Sequence, residues 1–159
     1  MLFYIYNVYS KKNQNNTINM YSYKQFGNSI AVSINNHAEI GQSVAAFAKE
    51  HGIKAGAVQG IGAVKEAVLR FFDPATKEYV DETFSEQMEI SNLTGNISQK
   101  DGEPYIHLHI TLGRSDYSTI SGHLLSAVIH GAGELSIEKF EGETGRYFDE
   151  ETGLNLYKF

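Results

Sequence analysis

Three histidines carry the clearest chemical signal in this sequence of 159 residues. His107 and His109 are separated by one residue in the segment Pro104–Gly113, and His123 comes fourteen residues after His109. Neutral imidazoles are common zinc ligands, and they also suit iron, nickel and copper. Three converging imidazoles would hold zinc or another divalent transition metal and leave one coordination position open. Histidines on a solvated or interface face are the alternative interpretation.

Alternation of side chains in Pro104–Gly113 predicts a β-strand that holds the first two histidines on one face. The apolar face is formed by Ile106, Leu108, Ile110 and Leu112. The polar face is formed by Tyr105, His107, His109 and Thr111. Histidines two residues apart on a strand lie about 7 Å apart at Cα and point the same way. The flanking Gly122 is expected to let the backbone beside His123 approach its neighbours closely.

Carboxylates are candidates for supporting roles, because a ligand histidine usually has its second nitrogen held by a carboxylate or a carbonyl. Glu89, on the predicted neighbouring strand Met88–Leu93, is a candidate for that role or for a general base. Glu134 is a further candidate, and a plain surface carboxylate is the alternative for both. The remaining histidines are interpreted as structural, with His37 and His51 at helix ends and His130 at a strand end.

The elements that position these residues are mostly short strands. Alternating or apolar runs predict strands at Ser29–Ile34, Ala67–Phe72, Tyr79–Phe84, Met88–Ser98, Pro104–Leu112, Leu135–Phe140 and Leu154–Phe159. A helix is predicted over Asn36–His51, with Asn36 as its capping residue and Gly52 as its stop. The pattern indicates an α+β domain with a mostly antiparallel sheet of about seven strands and few helices.

The small-residue segment Ala55–Val64 contains Gly60 and Gly62, which invites a dinucleotide-binding interpretation. Position 65 is a lysine, so the third glycine of that motif is absent, and no phosphate loop is present either. A strand and turn with closely packed backbones explains the segment better.

Composition excludes several classes of function. The chain has no cysteine, which excludes disulfides, thiolate metal sites and cysteine nucleophiles. Nineteen acidic residues against thirteen basic ones give a net charge of −6. A general binder of the nucleic-acid backbone usually has the opposite sign, so only a local basic patch remains open.

Residues 1–25 are interpreted as an N-terminal appendage to a single domain at residues 26–159. Residues 11–19 are polar and of low complexity, which is typical of a linker or of disorder. Residues 1–19 are explained either by an upstream start codon or by an edge strand at Phe3–Tyr9. No segment approaches the length of about 20 apolar residues that a membrane span needs, which predicts a soluble cytoplasmic protein.

Several segments form an ordered series along the chain: Gly52–Gly56, Gly60–Val64, Glu89-Ile90, Leu93–Ile97, Asp101–Ile110, Gly122–Leu124, Glu134 and Asp149–Leu154. Taken in order, they resemble the PPC (plants and prokaryotes conserved) domain family across about residues 26–159. The resemblance implies a sheet of about seven antiparallel strands flanked by helices and assembled as a homotrimer. It also implies a metal, usually zinc, at the positions of His107, His109 and His123.

Plant members of that family bind A/T-rich DNA through attached AT-hooks, and bacterial members carry a DNA-binding label on that basis. This sequence has no Arg-Gly-Arg-Pro core, so an AT-hook is excluded. Three functions stay open: a trimeric gene-regulatory protein, a metal-dependent enzyme acting on a small substrate, and a metal site that only stabilises the trimer. The basic feature available for DNA is Lys11, Lys12 and Lys24.

Overall fold

The computed structural model describes residues 20–159, and residues 1–19 lie outside the described part. The predicted strand Phe3–Tyr9 and the start-codon hypothesis both concern those first residues. The first described strand, β1 (Tyr21–Phe26), pairs along its whole length with β2 (Ser29–Ile34). The domain boundary expected at residue 26 therefore falls at the end of a strand that already belongs to the sheet.

Nine strands and one helix make up residues 20–159, which confirms the predicted α+β class, with nine strands instead of about seven. After β1 and β2 the elements are α1 (Ile40–Glu50), β3 (Gly56–Asp73), β4 (Glu78–Phe84), β5 (Met88–Lys100), β6 (Glu103–Gly113), β7 (Thr119–Lys139), β8 (Gly145–Asp149) and β9 (Leu154–Lys158). No helix in this part of the chain combines the length and the apolar character that crossing a bilayer requires.

The long strands β3 and β7 organise the sheet. They pair with each other over most of their length, and β3 also pairs with β4 and β5. Strand β6 pairs with β5 on one side and with β7 on the other. The pairings β3–β5, β5–β6, β6–β7 and β7–β3 therefore form a closed ring. Pairing is antiparallel throughout except for one parallel bridge between β5 and β8, at Gln99 and Gly145.

The small-residue segment forms the first half of β3, as the close-packing interpretation predicts. The pairing of β3 with β5 shifts register between Gly60 and Gly62. A methyl group on Gly62 would collide with the carbonyl oxygen of Ala132 on β7, and Gly62 has a φ of 151°. The glycines therefore allow an irregularity in β3 and a close approach between the backbones of β3 and β7.

Helix α1 starts later than predicted, because Glu39 rather than Asn36 caps it. The Glu39 carboxylate accepts hydrogen bonds from the backbone N–H groups of Gly41 and Gln42, and also from that of Ala127 on β7. Asn36 instead accepts a hydrogen bond from the backbone of Gly131. One carboxylate thus caps the helix and attaches it to the sheet.

The core lies between α1 and the apolar faces of the strands. Phe47 of α1 is fully buried, and the rings of Tyr21 and Tyr23 pack edge-on against it at 5.3 and 5.2 Å. On β6 the predicted apolar face is confirmed for Leu108, Ile110 and Leu112, which are buried, whereas Ile106 is partly buried and packs against the core. The opposite face of β6 is left for the histidines.

Candidate metal centre

The three predicted histidines lie together on the polar face of the sheet. His107 and His109 are on β6, and His123 on β7 is the direct pairing partner of His109. Their ring centroids are 5.3 Å apart for His107 and His109, 4.9 Å for His107 and His123, and 5.4 Å for His109 and His123. One nitrogen from each ring lies within 4.8 Å of the other two.

The hairpin between β6 and β7 brings the third histidine into place. The N–H of Arg114 donates to the carbonyl oxygen of Ser118 at 2.9 Å, which closes the loop and fixes the register. His123 then returns directly opposite His109. The expected close approach at Gly122 is not required, since a methyl group there would meet its nearest neighbour at an ordinary 3.5 Å.

Burial and mutual repulsion keep two of these imidazoles neutral. Burial, followed by the nearby His109 and Arg146, lowers the pKa of His107. Burial, followed by His107 and His109, lowers the pKa of His123 to about 4. Neutral imidazole is the form that binds a metal ion, so at neutral pH both rings are ready to act as ligands.

One side of the cluster is bounded by β3 and β4. Arg70 pairs with His123 across the strands, and its guanidinium donates two hydrogen bonds to Asp81 at 2.8 and 2.7 Å. The same guanidinium lies 4.5 Å from the ring centroid of Tyr79, whose ring lies 6.2 Å from that of His123. Burial, followed by the neighbouring Tyr105, raises the pKa of Tyr79, so this phenol stays protonated.

The other side is bounded by Arg146, which reaches over from β8. It donates hydrogen bonds to the side chain of Asn96 at 2.8 Å and to that of Ser98 at 2.9 Å. Its guanidinium also lies over the rings of Tyr105 and Tyr157, at 4.9 and 4.3 Å from their centroids. Asn96 is the pairing partner of His107, so its hydrogen bond with Arg146 places the guanidinium beside the cluster.

The donor set fits a transition metal. Among residues 20–159 no other group hydrogen-bonds a ring nitrogen of His107, His109 or His123, so the nitrogens are free to turn towards one point. Three nitrogen donors on one polar face match a zinc site with an open position. The same donors suit iron, nickel or copper.

The two candidate carboxylates lie away from the cluster. Glu89 shares its face but pairs with Gly113, at the far end of β6 beyond Thr111 and a bulge. Glu134 lies much further along β7, where it lines a cavity of about 600 Å³ with Gln59 and Ile61. Neither carboxylate hydrogen-bonds a histidine of the cluster in the structure.

The chain matches the model of the Plants and Prokaryotes Conserved domain, abbreviated PCC or PPC, over residues 21–141. That range runs from β1 to the end of β7 and includes all three histidines. The chain belongs to the PPC domain family. The match ends before β8, so Arg146 lies outside the matched part of the domain.

Several solved structures share this fold. A "putative DNA-binding protein" from Bacteroides thetaiotaomicron is 57% identical, with a TM-score of 0.87, covering 89% of this chain and 99% of its own. A protein of the same description from Ralstonia eutropha is 25% identical, with a TM-score of 0.81, covering 86% and 95%. A metal-containing protein from Archaeoglobus fulgidus is 34% identical, with a TM-score of 0.79, covering 89% and 100%. No curated protein matches the chain.

The surroundings of the cluster in this PPC protein include residues that sequence reasoning missed. Arg70, Tyr79 and Arg146 lie in three separate segments, and nothing local in the sequence marks them. Tyr105 was the exception, because strand alternation already placed it on the histidine face.

Proposed function

We propose that this PPC protein binds one divalent transition metal ion per chain, held by His107, His109 and His123, with zinc as the first candidate. The observation that carries the proposal is that one nitrogen from each ring lies within 4.8 Å of the other two. The name of the Archaeoglobus relative, a metal-containing protein, supports it.

The open side of the cluster favours a reactive role for the metal over a purely structural one. Structural zinc sites are usually closed by four protein ligands, whereas catalytic sites keep one position for water or substrate. His109 is exposed, and only three possible ligands come together among residues 20–159. A bound zinc ion acidifies its water ligand and polarises oxygen atoms of a substrate. An enzyme acting on a small substrate is therefore the activity to screen for.

Elemental analysis of the purified full chain, supplied with zinc, tests the metal site. We expect about one metal per chain in the wild type and none in a His107→Ala/His109→Ala variant. The matched control is His37→Ala/His130→Ala, which also removes two neighbouring histidines and should keep the metal. Absence of metal from the wild type, or equal content in both double variants, would refute the site.

DNA binding in gene regulation is the second candidate, and the names of the Bacteroides and Ralstonia relatives support it. The net charge of −6 and the absence of an AT-hook argue against unaided binding through the phosphate backbone. Contact would then involve a local patch that includes Lys24 of β1, or a partner protein. Lys11 and Lys12 lie outside the described residues.

Electrophoresis with duplex DNA at several salt concentrations tests this second function. Retention that weakens steeply with salt, and that is lost on Lys11→Gln/Lys12→Gln/Lys24→Gln substitution, would support it. A chain that leaves duplex DNA unshifted even at low salt does not bind DNA by itself.

The chain is also proposed to assemble as a homotrimer. The hairpin of β3 and β4 presents Phe71 and Val80 directly opposite each other, and both are more than half exposed. Contiguous exposed apolar surface is typical of association sites, and this pair is a candidate for part of one. Light scattering of the metal-loaded and the metal-free protein would give the mass. A trimer that dissociates only without metal would favour the metal-stabilised assembly, whereas a monomer in both states would exclude the trimer.

A further inference from the structure

Arg146 brings a positive charge to the histidine face that no carboxylate among residues 20–159 balances. Its three hydrogen bonds go to neutral acceptors, which are the side chains of Asn96 and Ser98 and the carbonyl oxygen of Asn155. Within residues 20–159, Arg146 takes part in no ion pair. A partly buried guanidinium usually lies against a carboxylate or binds an anion, because an unbalanced charge away from water is unfavourable.

The position of this guanidinium is fixed before any ligand arrives. Tyr105 and Tyr157 hold it with ring centroids 4.9 and 4.3 Å away. The three hydrogen bonds fix its orientation in addition. A guanidinium has more N–H groups than these bonds use, so donors remain for a further acceptor. Such a preorganised donor costs little entropy when it binds a ligand.

The guanidinium of Arg146 lies beside the histidine cluster. Asn96, which accepts a hydrogen bond from Arg146, pairs directly with His107. Side chains directly opposite each other on antiparallel strands have Cβ atoms about 5 Å apart. The guanidinium is therefore hydrogen-bonded to the residue directly opposite His107, and its charge contributes to the lowered pKa of that histidine.

Arg70 on the other side of the cluster provides a contrast. Its guanidinium forms two hydrogen bonds with Asp81, so the pair adds no net charge to the face. The three imidazoles are neutral ligands and do not offset the charge of a divalent metal ion. The metal and Arg146 would therefore concentrate positive charge on one face of an acidic protein.

We propose that this face binds a small organic anion, with its carboxylate or phosphate oxygens shared between Arg146 and the open coordination position beside His107, His109 and His123. This rests on the proposed metal site. Arg146 then acts as a specificity-determining residue that selects anionic over neutral ligands. Arg146 lies beyond residues 21–141, the range that the family model matches.

Cobalt(II) loaded into the full chain provides the readout, because its visible absorption changes when an anion enters the coordination sphere. Acetate and inorganic phosphate are titrated separately at constant ionic strength set with perchlorate. We expect one or both to change the spectrum at saturating concentration, and the one that binds more tightly identifies the class of anion. Arg146→Gln should weaken this binding about tenfold or more while cobalt remains bound.

The matched control is Arg70→Gln/Asp81→Asn, which removes the other guanidinium of the face together with its carboxylate and leaves the net charge unchanged. It should alter anion affinity by less than about threefold, as expected for a neutral pair. Equal anion affinity in Arg146→Gln and the wild type would overturn the proposal. So would a cobalt-loaded wild type that responds to neither anion, although the metal site would then stand. A wild type that binds no cobalt would refute the metal site itself.

If Arg146→Gln does not fold, labelling of the wild type replaces it. The cobalt-loaded protein is treated with phenylglyoxal, and modification of Arg146 is followed by mass spectrometry. The bound anion should slow modification of Arg146 and leave that of Arg114, which is paired with Glu86, unchanged. An unchanged rate at Arg146 would overturn the proposal.

Discussion

Histidine rings meet at two places in the described part of the molecule, and only one of these places has the arrangement of a metal site. The cluster of His107, His109 and His123 lies on paired strands and directs three nitrogens to within 4.8 Å of one another. The His37–His130 pair has ring centroids 5.8 Å apart, a distance similar to those within the cluster. Distance between rings therefore does not distinguish the two groups.

Hydrogen bonding does distinguish them. In the pair, His130 Nδ1 lies 2.7 Å from the amide oxygen of Gln87, and His37 Nε2 lies 3.3 Å from the amide nitrogen of Asn36. In the cluster, no protein group among residues 20–159 forms a hydrogen bond with a ring nitrogen. A metal site needs a third donor, and its ring nitrogens must not be hydrogen-bonded to other groups. In the cluster, the fixed register of β6 and β7 places that third donor, His123, opposite His109.

Gly95→Ala should have the largest effect, because it disrupts the packing of β5 against the strand that carries His107 and His109. It should not affect the His37–His130 pair. A methyl group at Gly95 of β5 would collide with the carbonyl oxygen of His107. We expect a loss of about 3 kcal/mol in unfolding free energy, together with weak metal binding. Urea unfolding measures the first effect. Gly145→Ala, where the nearest atom lies at 3.6 Å, is the control and should cost less than about 1 kcal/mol.

His123→Ala should lower zinc affinity more than about 100-fold, beyond the range typical of residues that only support a ligand. Competition with a chromogenic chelator measures this. His130→Ala should leave the affinity unchanged. If the two single variants lose zinc equally, the distinction between the cluster and the pair is wrong.

The stability of the metal-free protein should fall at acid pH, because protonation of His123 in the cluster is unfavourable in the folded chain. The pKa of His123 is about 4 in the folded chain, against an ordinary value of 6.5. The unfolded chain therefore takes up the proton first, so the contribution of this histidine is complete above pH 6.5 and is lost as pH falls towards 4. Urea midpoints at pH 7.5 and 5 should differ less in His123→Asn. An unchanged difference would contradict the assignment.

Gln87→Ala should have the smallest effect. Gln87 is exposed and bonds the ring and the carbonyl oxygen of His130 at 2.7 and 3.0 Å. Its loss should cost less than about 1 kcal/mol and should not change metal content. A measurable loss of zinc would show that the pair and the cluster are coupled.

The sequence was sufficient to predict the histidine face, because strand alternation in Pro104–Gly113 is regular and its apolar side is buried as expected. It could not show that His109 faces His123, since register depends on the loop that joins their strands. Glu89 does lie on the strand next to the histidines, as the sequence predicts. Its distance from the histidines depends on register and on a bulge, and neither leaves a mark in the sequence.

Two local predictions differ from the structure. Asn36 has the right type and spacing for a helix cap, but it bonds Gly131, and Glu39 takes its place because it also reaches Ala127. The sequence predicts His130 at a strand end, whereas β7 continues through it to Lys139. Local patterns cannot reveal contacts between segments that are distant in the sequence. For the same reason they do not mark Arg70 and Arg146 as neighbours of the cluster.

The closed ring of β3, β5, β6 and β7 has a consequence for how metal would reach the protein. Two of its strands carry the three histidines, and their register is fixed by backbone pairing alone. Small domains that fold around zinc lose their structure when a chelator removes it. Here the empty and loaded forms would share one fold, so occupancy would follow the free metal concentration around the protein rather than the conditions under which the chain folded.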